Sequence, residues 1–208
     1  VLLEIGTLAV QNKFFVISDE AYEDIVFNKD LYQSFSNLHP DFHQWTITAK
    51  TFSKTYAMTG FRIGYAIANK EIIQSMSNLQ GHLHGNNCTF GQYGAIEALN
   101  TSEEALDQMA NMFKERRDFA YERISKLIPC IKPEGAFYLF PKVSDILEKD
   151  ETTLEFCAKI LKDKNVAILP GSAFGQEGFV RIAFTTDKKS LESGINRICE
   201  FISNRMNQ

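Results

Sequence analysis

Lys54 sits in the run Thr51-Phe52-Ser53-Lys54-Thr55, with Arg62 eight residues beyond it. A lysine that forms an imine with an aldehyde must be available unprotonated. A free lysine titrates near ~10.4, so such a role needs a partly desolvated, cation-flanked setting. Arg62 supplies a cation nearby. The run Phe61 to Ala68 reads as a strand, and its alternation puts Arg62, Gly64 and Ala66 on one face. The small neighbours leave room for a ligand beside the guanidinium, which can grip a phosphate through two parallel hydrogen bonds. Asp19 follows another apolar run, Phe14 to Ile17, and is flanked by Ser18 and Glu20. A carboxylate ending a buried strand is costly unless a cation meets it. Arg181 stands among Phe179, Val180, Ile182 and Phe184, where a guanidinium is costly unless it faces a carboxylate.

Each of these residues, taken singly, has an ordinary alternative. Asp19 could cap a helix, Tyr22 could be a half-buried core aromatic, the two arginines could be structural ion-pair partners, and Lys54 could be a solvated loop residue. The elements that would position them decide between the readings. Leu2, Ile5, Leu8 and Ala9 recur at helical spacing from the first residues, and Val1 is not an initiator methionine, so the chain reads as a piece of a longer one. The run from Phe14 is predicted to be a buried parallel strand that delivers Ser18, Asp19 and Glu20 to its C-terminal edge. Residues 28–44 are polar and turn-rich. A second strand is predicted at Trp45 to Ala49, leading into a loop from Lys50 to Gly60 and then the strand from Phe61. Asn69 can cap a following helix, and another helical pattern spans Gln92 to Leu99.

Thr101 with Glu104 has the spacing of a capping box ahead of a long helix running to about Leu127. Beyond Pro129 the elements shorten: strands at Ala136 to Phe140, Val166 to Leu169 and Phe179 to Phe184, a helix opened by Thr152 with Glu155, and a last helix capped by Asp187. Three strands before the long helix and three after it, interleaved with helices, predict an α/β layer (1–110) joined to a smaller α+β unit (111–208).

The 208 residues carry a net charge of −4 with no basic stripe, which argues against a nucleic-acid partner. No apolar run is long enough to span a bilayer and no signal-peptide pattern opens the chain, so a cytoplasmic protein is expected, with no membrane contact. Cys88, Cys130, Cys157 and Cys199 are widely separated and read as reduced, mostly buried thiols. His82 and His84 form an H-x-H, while His39 and His43 straddle Pro40; without a third ligand neither pair reads as a metal site.

The run T-F-S-K-T-Y-A-M-T-G-F-R-I-G-Y around Lys54 resembles the lysine signature of class I and II aminotransferases, enzymes of fold type I that use pyridoxal 5'-phosphate (PLP). Two further segments agree in order and spacing: the D-E-x-Y of Asp19 to Tyr22, 35 residues ahead of Lys54, and P-G-S-A-F-G from Pro170 to Gly175, leading into V-R-I-A-F around Arg181. The resemblance extends over nearly the whole chain. It implies that Lys54 is the Schiff-base lysine, that Asp19 meets the pyridine nitrogen, and that Tyr22 donates to the cofactor's phenolic oxygen. It further implies that Thr51, Ser53 and Arg62 hold the phosphate and that Arg181 binds the substrate α-carboxylate. The implied activity is transamination between an amino acid and a 2-oxo acid in a homodimer. A PLP-dependent carbon–sulfur lyase or related synthase of the same fold, and a non-catalytic ligand-sensing domain of a regulator, are the alternatives. The family's front half, with its glycine-rich phosphate loop and ring-stacking aromatic, has no counterpart in these residues.

Overall fold

A computed structural model describes residues 1–207, leaving aside the side chain of Leu31. The chain divides into two compact units, Val1–Met109 and a second from Ala110 onward, with the division inside a long helix.

In the first unit, helix α1 (Leu2–Asn12) precedes β1 (Val16–Asp19). A stretch of three short 3-10 turns then leads to β2 (Thr46–Thr51), the one-turn helix α2 (Phe52–Thr55) and β3 (Gly64–Ile67). The sheet order is β1-β2-β3, with β1 and β2 parallel and β3 antiparallel to β2. Helices α3 (Lys70–Leu83) and α4 (Thr89–Leu99) follow, and α5 (Glu103–Ile124) begins in this unit. Asn69 caps α3 as its position predicts, accepting from Ile72 N–H at 3.0 Å. The cap of α5 is displaced by one residue from the expected Thr101: Ser102 Oγ accepts from Ala105 N–H at 3.3 Å, and Glu104 instead accepts from the Gln108 side chain. Adjacent hydroxyls offer the same chemistry, and the backbone turn selects between them.

The first strand starts two residues later than its apolar run and is not buried on both faces: Ile17 is 71% exposed, and Phe14 and Phe15 lie outside the ladder. Only Val16 onward finds partners in β2, beginning at Thr46.

The second unit packs α6 (Thr153–Lys164) and α7 (Lys188–Met206) with an antiparallel sheet of order β4-β6-β5, formed by β4 (Tyr138–Leu139), β5 (Leu169–Pro170) and β6 (Val180–Ala183). Phe156, Phe184, Ile160, Ile195 and Ile202 are almost completely buried at its centre. Both predicted caps form here. Thr152 and Glu155 make a reciprocal capping box, and Asp187 accepts from Ser190 N–H at 3.0 Å. β4 and β6 are shorter than their apolar patterns, and β5 meets its predicted span only at Leu169 and runs on to Pro170.

The cysteines depart from expectation. Cys157 alone is buried, Cys130 and Cys199 are half-buried, Cys88 is exposed, and all four are free thiols. Burial, with the negative charge of Glu177, pushes Cys157 up to about 11. No described helix is long and apolar enough to cross a membrane.

Candidate active site

Strand direction brings the predicted residues to one edge of the first unit's sheet. β1 and β2 run parallel and end at Asp19 and Thr51. β3 runs back, its first residue Gly64 opposite Thr51. The ends of two strands and the start of the third therefore coincide, and Asp19, the Thr51-to-Lys54 segment and Arg62 all flank this edge. Gly64 makes the approach possible: a Cβ there would lie 2.6 Å from the Lys50 carbonyl oxygen.

The segment that presents Lys54 is fastened at both ends. Thr51 Oγ1 accepts from Ser53 N–H at 3.1 Å and donates to the Ile63 carbonyl at 3.3 Å, so its hydroxyl starts α2 and ties it to the residue before β3. Phe52, 4% exposed, inserts beside Ile63, Ala95 and Ala98. Lys54 is half-buried in the last turn of α2, with Ser53 and Thr55 buried on either side. Among the described residues the Ser53 hydroxyl has no hydrogen-bond partner. That makes it a donor available to a ligand.

Arg62 requires a correction. It lies two residues before β3 rather than within it, so it does not alternate with Gly64 and Ala66 on a strand face. It is exposed, with a left-handed backbone (φ 54), and donates to the Thr59 carbonyl at 3.3 Å. Ala57 shares that conformation (φ 52). Each such residue costs roughly 1–2 kcal/mol, strain that persists where surrounding contacts over-determine the loop. Asp19 also differs from expectation. It is exposed, its Oδ1 accepts from Ala21 N–H at 3.2 Å, and among the described residues no cation pairs with it. Tyr22 stands half-buried in the turn just after β1.

Two neighbouring acids carry roles that sequence reasoning did not assign. Glu20, 7% exposed, accepts from Ser18 Oγ at 3.0 Å, Tyr32 Oη at 2.9 Å, Ser34 Oγ at 2.8 Å and Phe35 N–H at 3.1 Å, binding the turn-rich stretch to the end of β1. Burial alone would push its carboxyl up, but the four donors outweigh burial and hold it below the ordinary carboxylate value. Glu23 pairs with Lys50 Nζ, and both side chains are four-fifths buried. Burial raises Glu23 above its usual value despite that partner. For Lys50, burial works against the charge, but Glu23 overcomes it and raises the ammonium's pKa. A polar stretch rich in Ser and Tyr downstream of a strand-end Glu was the only available signal, and it named no partners.

The Glu20 arrangement sets a pH dependence. Its folded-state carboxyl is depressed, so its stabilisation is complete above the unfolded value of 4.5 and is lost as pH falls through the lower folded value. Glu20→Gln is expected to cost about 2 kcal/mol at pH 7, because charge-assisted hydrogen bonds are lost and an amide donor meets donors. Denaturant unfolding at pH 7 and pH 4 checks this, the gap between the two proteins narrowing at the lower pH. An equal gap at both pH values would count against it.

Arg181 belongs to the second unit. It lies in β6 opposite Leu169, half-buried, and no carboxylate of the described residues faces it. Its Cζ is instead 4.4 Å from the centroid of the Tyr138 ring and 4.0 Å from that of Phe174.

With this geometry in place, comparison with known proteins is decisive. The family described as aminotransferase class I and II matches residues 2–198. The chain belongs to the class I and II aminotransferases. An aspartate aminotransferase of Bacillus sp. (strain YM-2) is 36% identical over 205 residues, covering 97% of this chain and 52% of the relative. A probable aspartate/prephenate aminotransferase of Aquifex aeolicus is 38% identical, covering 95% of this chain and 51% of the relative. Among solved structures, an aromatic aminotransferase from Pyrococcus horikoshii matches with a TM-score of 0.90 at 36% identity, over 99% of this chain and 55% of that one. The chain spans about half the length of the curated relatives it matches. Its α/β architecture is that of part of a fold type I aminotransferase, and members of this family generally use PLP.

Proposed function

We propose that the protein carrying this chain transfers an amino group between an amino acid and a 2-oxo acid with PLP, using Lys54 as its Schiff-base lysine. The observation that carries the reading is the convergence of Asp19, the capped Lys54 segment and Arg62 on one sheet edge. The donor set suits the cofactor: an amine on a short anchored helix, a carboxylate and a serine hydroxyl that have no cation and no hydrogen-bond partner, respectively, among the described residues, and an exposed guanidinium. In this reading the large cofactor-binding part comprises residues 1–110 and the small C-terminal domain residues 111–208.

When bound, PLP supplies an electron sink for charge developing at the substrate α-carbon. Asp19 would face the pyridine nitrogen and keep a proton there. Tyr22 donates toward the phenolic oxygen, and Ser53 and Arg62 hold the phosphate, with Thr51 setting the start of α2 that aims Ser53. Lys54 Nζ holds the cofactor covalently. As a free amine, Lys54 Nζ would be the group that carries the proton of the substrate α-carbon. Arg181 holds the substrate α-carboxylate. A cytoplasmic homodimer completes the proposal.

The test is to incubate the purified chain, and separately the full-length protein, with PLP, reduce with borohydride and map the pyridoxyl group by peptide mass spectrometry. Selective labelling of Lys54 is expected, and absence of labelling in the full-length protein would overturn the reading. Assays with amino donors and 2-oxo acids then separate transamination from elimination, since pyruvate and ammonia without amino transfer would indicate a lyase.

A further inference from the structure

Arg181 is half-buried, yet among the described residues none of its N–H groups finds an acceptor. What surrounds it is aromatic. The ring centroids of Tyr138, from β4, and Phe174, from the turn after β5, lie 4.4 Å and 4.0 Å from its Cζ, within cation–π range of the guanidinium. Phe174 is 45% exposed.

Both rings are braced. Phe140 meets Phe174 edge-on at 6.3 Å and is itself stacked on Phe179 at 5.3 Å. Tyr138 adjoins Phe137 at 4.8 Å, which in turn packs on Phe113. The turn bearing Phe174 is closed by Gly171, whose N–H donates to the Phe179 carbonyl at 2.7 Å and whose carbonyl accepts from Gln176 N–H at 3.0 Å. A Cβ at Gly171 would lie 2.3 Å from the Gln176 carbonyl oxygen, so no other residue closes the turn this tightly. Glu177 then pins the segment to α6, accepting from Thr153 N–H at 2.7 Å and Thr153 Oγ1 at 3.0 Å.

We propose that Tyr138 and Phe174 are positioning residues that clamp the plane of Arg181, leaving its N–H edge as the face that receives a substrate carboxylate. This rests on Arg181 being the carboxylate holder. A guanidinium fixed in one plane loses less freedom on forming two parallel hydrogen bonds to a carboxylate than a mobile one does. The clamp therefore acts on binding of both the amino acid and the 2-oxo acid, which share that group, and little on the chemical step.

The experiment compares Tyr138→Leu, Phe174→Leu, Tyr138→Phe and Arg181→Lys in the full-length enzyme, with melting temperatures measured for each. Each leucine variant is expected to raise KM for both substrates about ten-fold while kcat stays within about two-fold, and Tyr138→Phe, which keeps the ring, to restore KM. Phenylglyoxal modification of Arg181, read by peptide mass spectrometry, gives a measure independent of turnover: a 2-oxo acid should protect the wild type and protect the leucine variants less. If Arg181→Lys raises KM but the leucine variants change only the melting temperature, the clamp is structural and the proposal fails. If Arg181→Lys leaves KM unchanged, the assignment of Arg181 fails and the clamp fails with it. Should one leucine variant not fold, the other carries the same comparison.

Discussion

Replacing Lys54 by alanine is expected to lower the turnover of amino transfer by about 10⁴-fold or more, because one side chain serves both as the covalent attachment and as the proton carrier. The fold should survive. α2 is held by Phe52 in the core and by the Thr51 cap, neither of which involves the Lys54 ammonium. Steady-state kinetics of the full-length protein, with circular dichroism as a control on folding, measures the effect. Lys54→Arg distinguishes the two duties: it keeps the charge but not the nucleophile, and should be as inactive as Lys54→Ala. Activity within ten-fold of wild type in either variant would remove Lys54 from the mechanism.

The second large effect is expected at Asp19. Asp19→Asn keeps the shape and can still accept from Ala21 N–H, while deleting the negative charge at the end of β1. Because Asp19 is exposed and among the described residues accepts only from Ala21 N–H, its loss should change stability by no more than about 0.5 kcal/mol. Removing one charge aimed at the reacting system lowers kcat by about 10²- to 10³-fold. A large activity loss with an unchanged melting curve is therefore the signature of a carboxylate kept for a ligand. If the protein instead unfolds more easily and turns over normally, Asp19 is a structural residue.

The contrast with Glu20 shows why adjacent carboxylates take different roles. Glu20, the residue just after β1, is buried in a ring of four donors and organises a loop, whereas Asp19, the last residue of β1, is exposed. Both letters stood side by side in the sequence, but the donors to Glu20 come from residues up to fifteen positions away. That distance made the difference invisible without the fold.

What the sequence determined by itself was local chemistry and its order along the chain. The caps at Asn69, Thr152 and Asp187 were legible because a cap reaches two or three residues along its own backbone. The family resemblance of the lysine segment was legible because reaction chemistry restricts residue type at fixed spacing. Strand limits were not, since cross-strand pairing sets them: Gly64 rather than Phe61 opens β3, paired with Thr51. The tertiary structure alone decided that Arg62 precedes its strand in a left-handed turn, that Asp19 is exposed, and that Lys50 meets Glu23. It also decided the setting of Arg181. Two rings from positions 138 and 174 lie against its guanidinium, partners that the strand pattern did not name. Side chains that far apart in sequence meet only through the register of β4 and β5 on β6, and register is set by long-range pairing that single-chain periodicity does not encode.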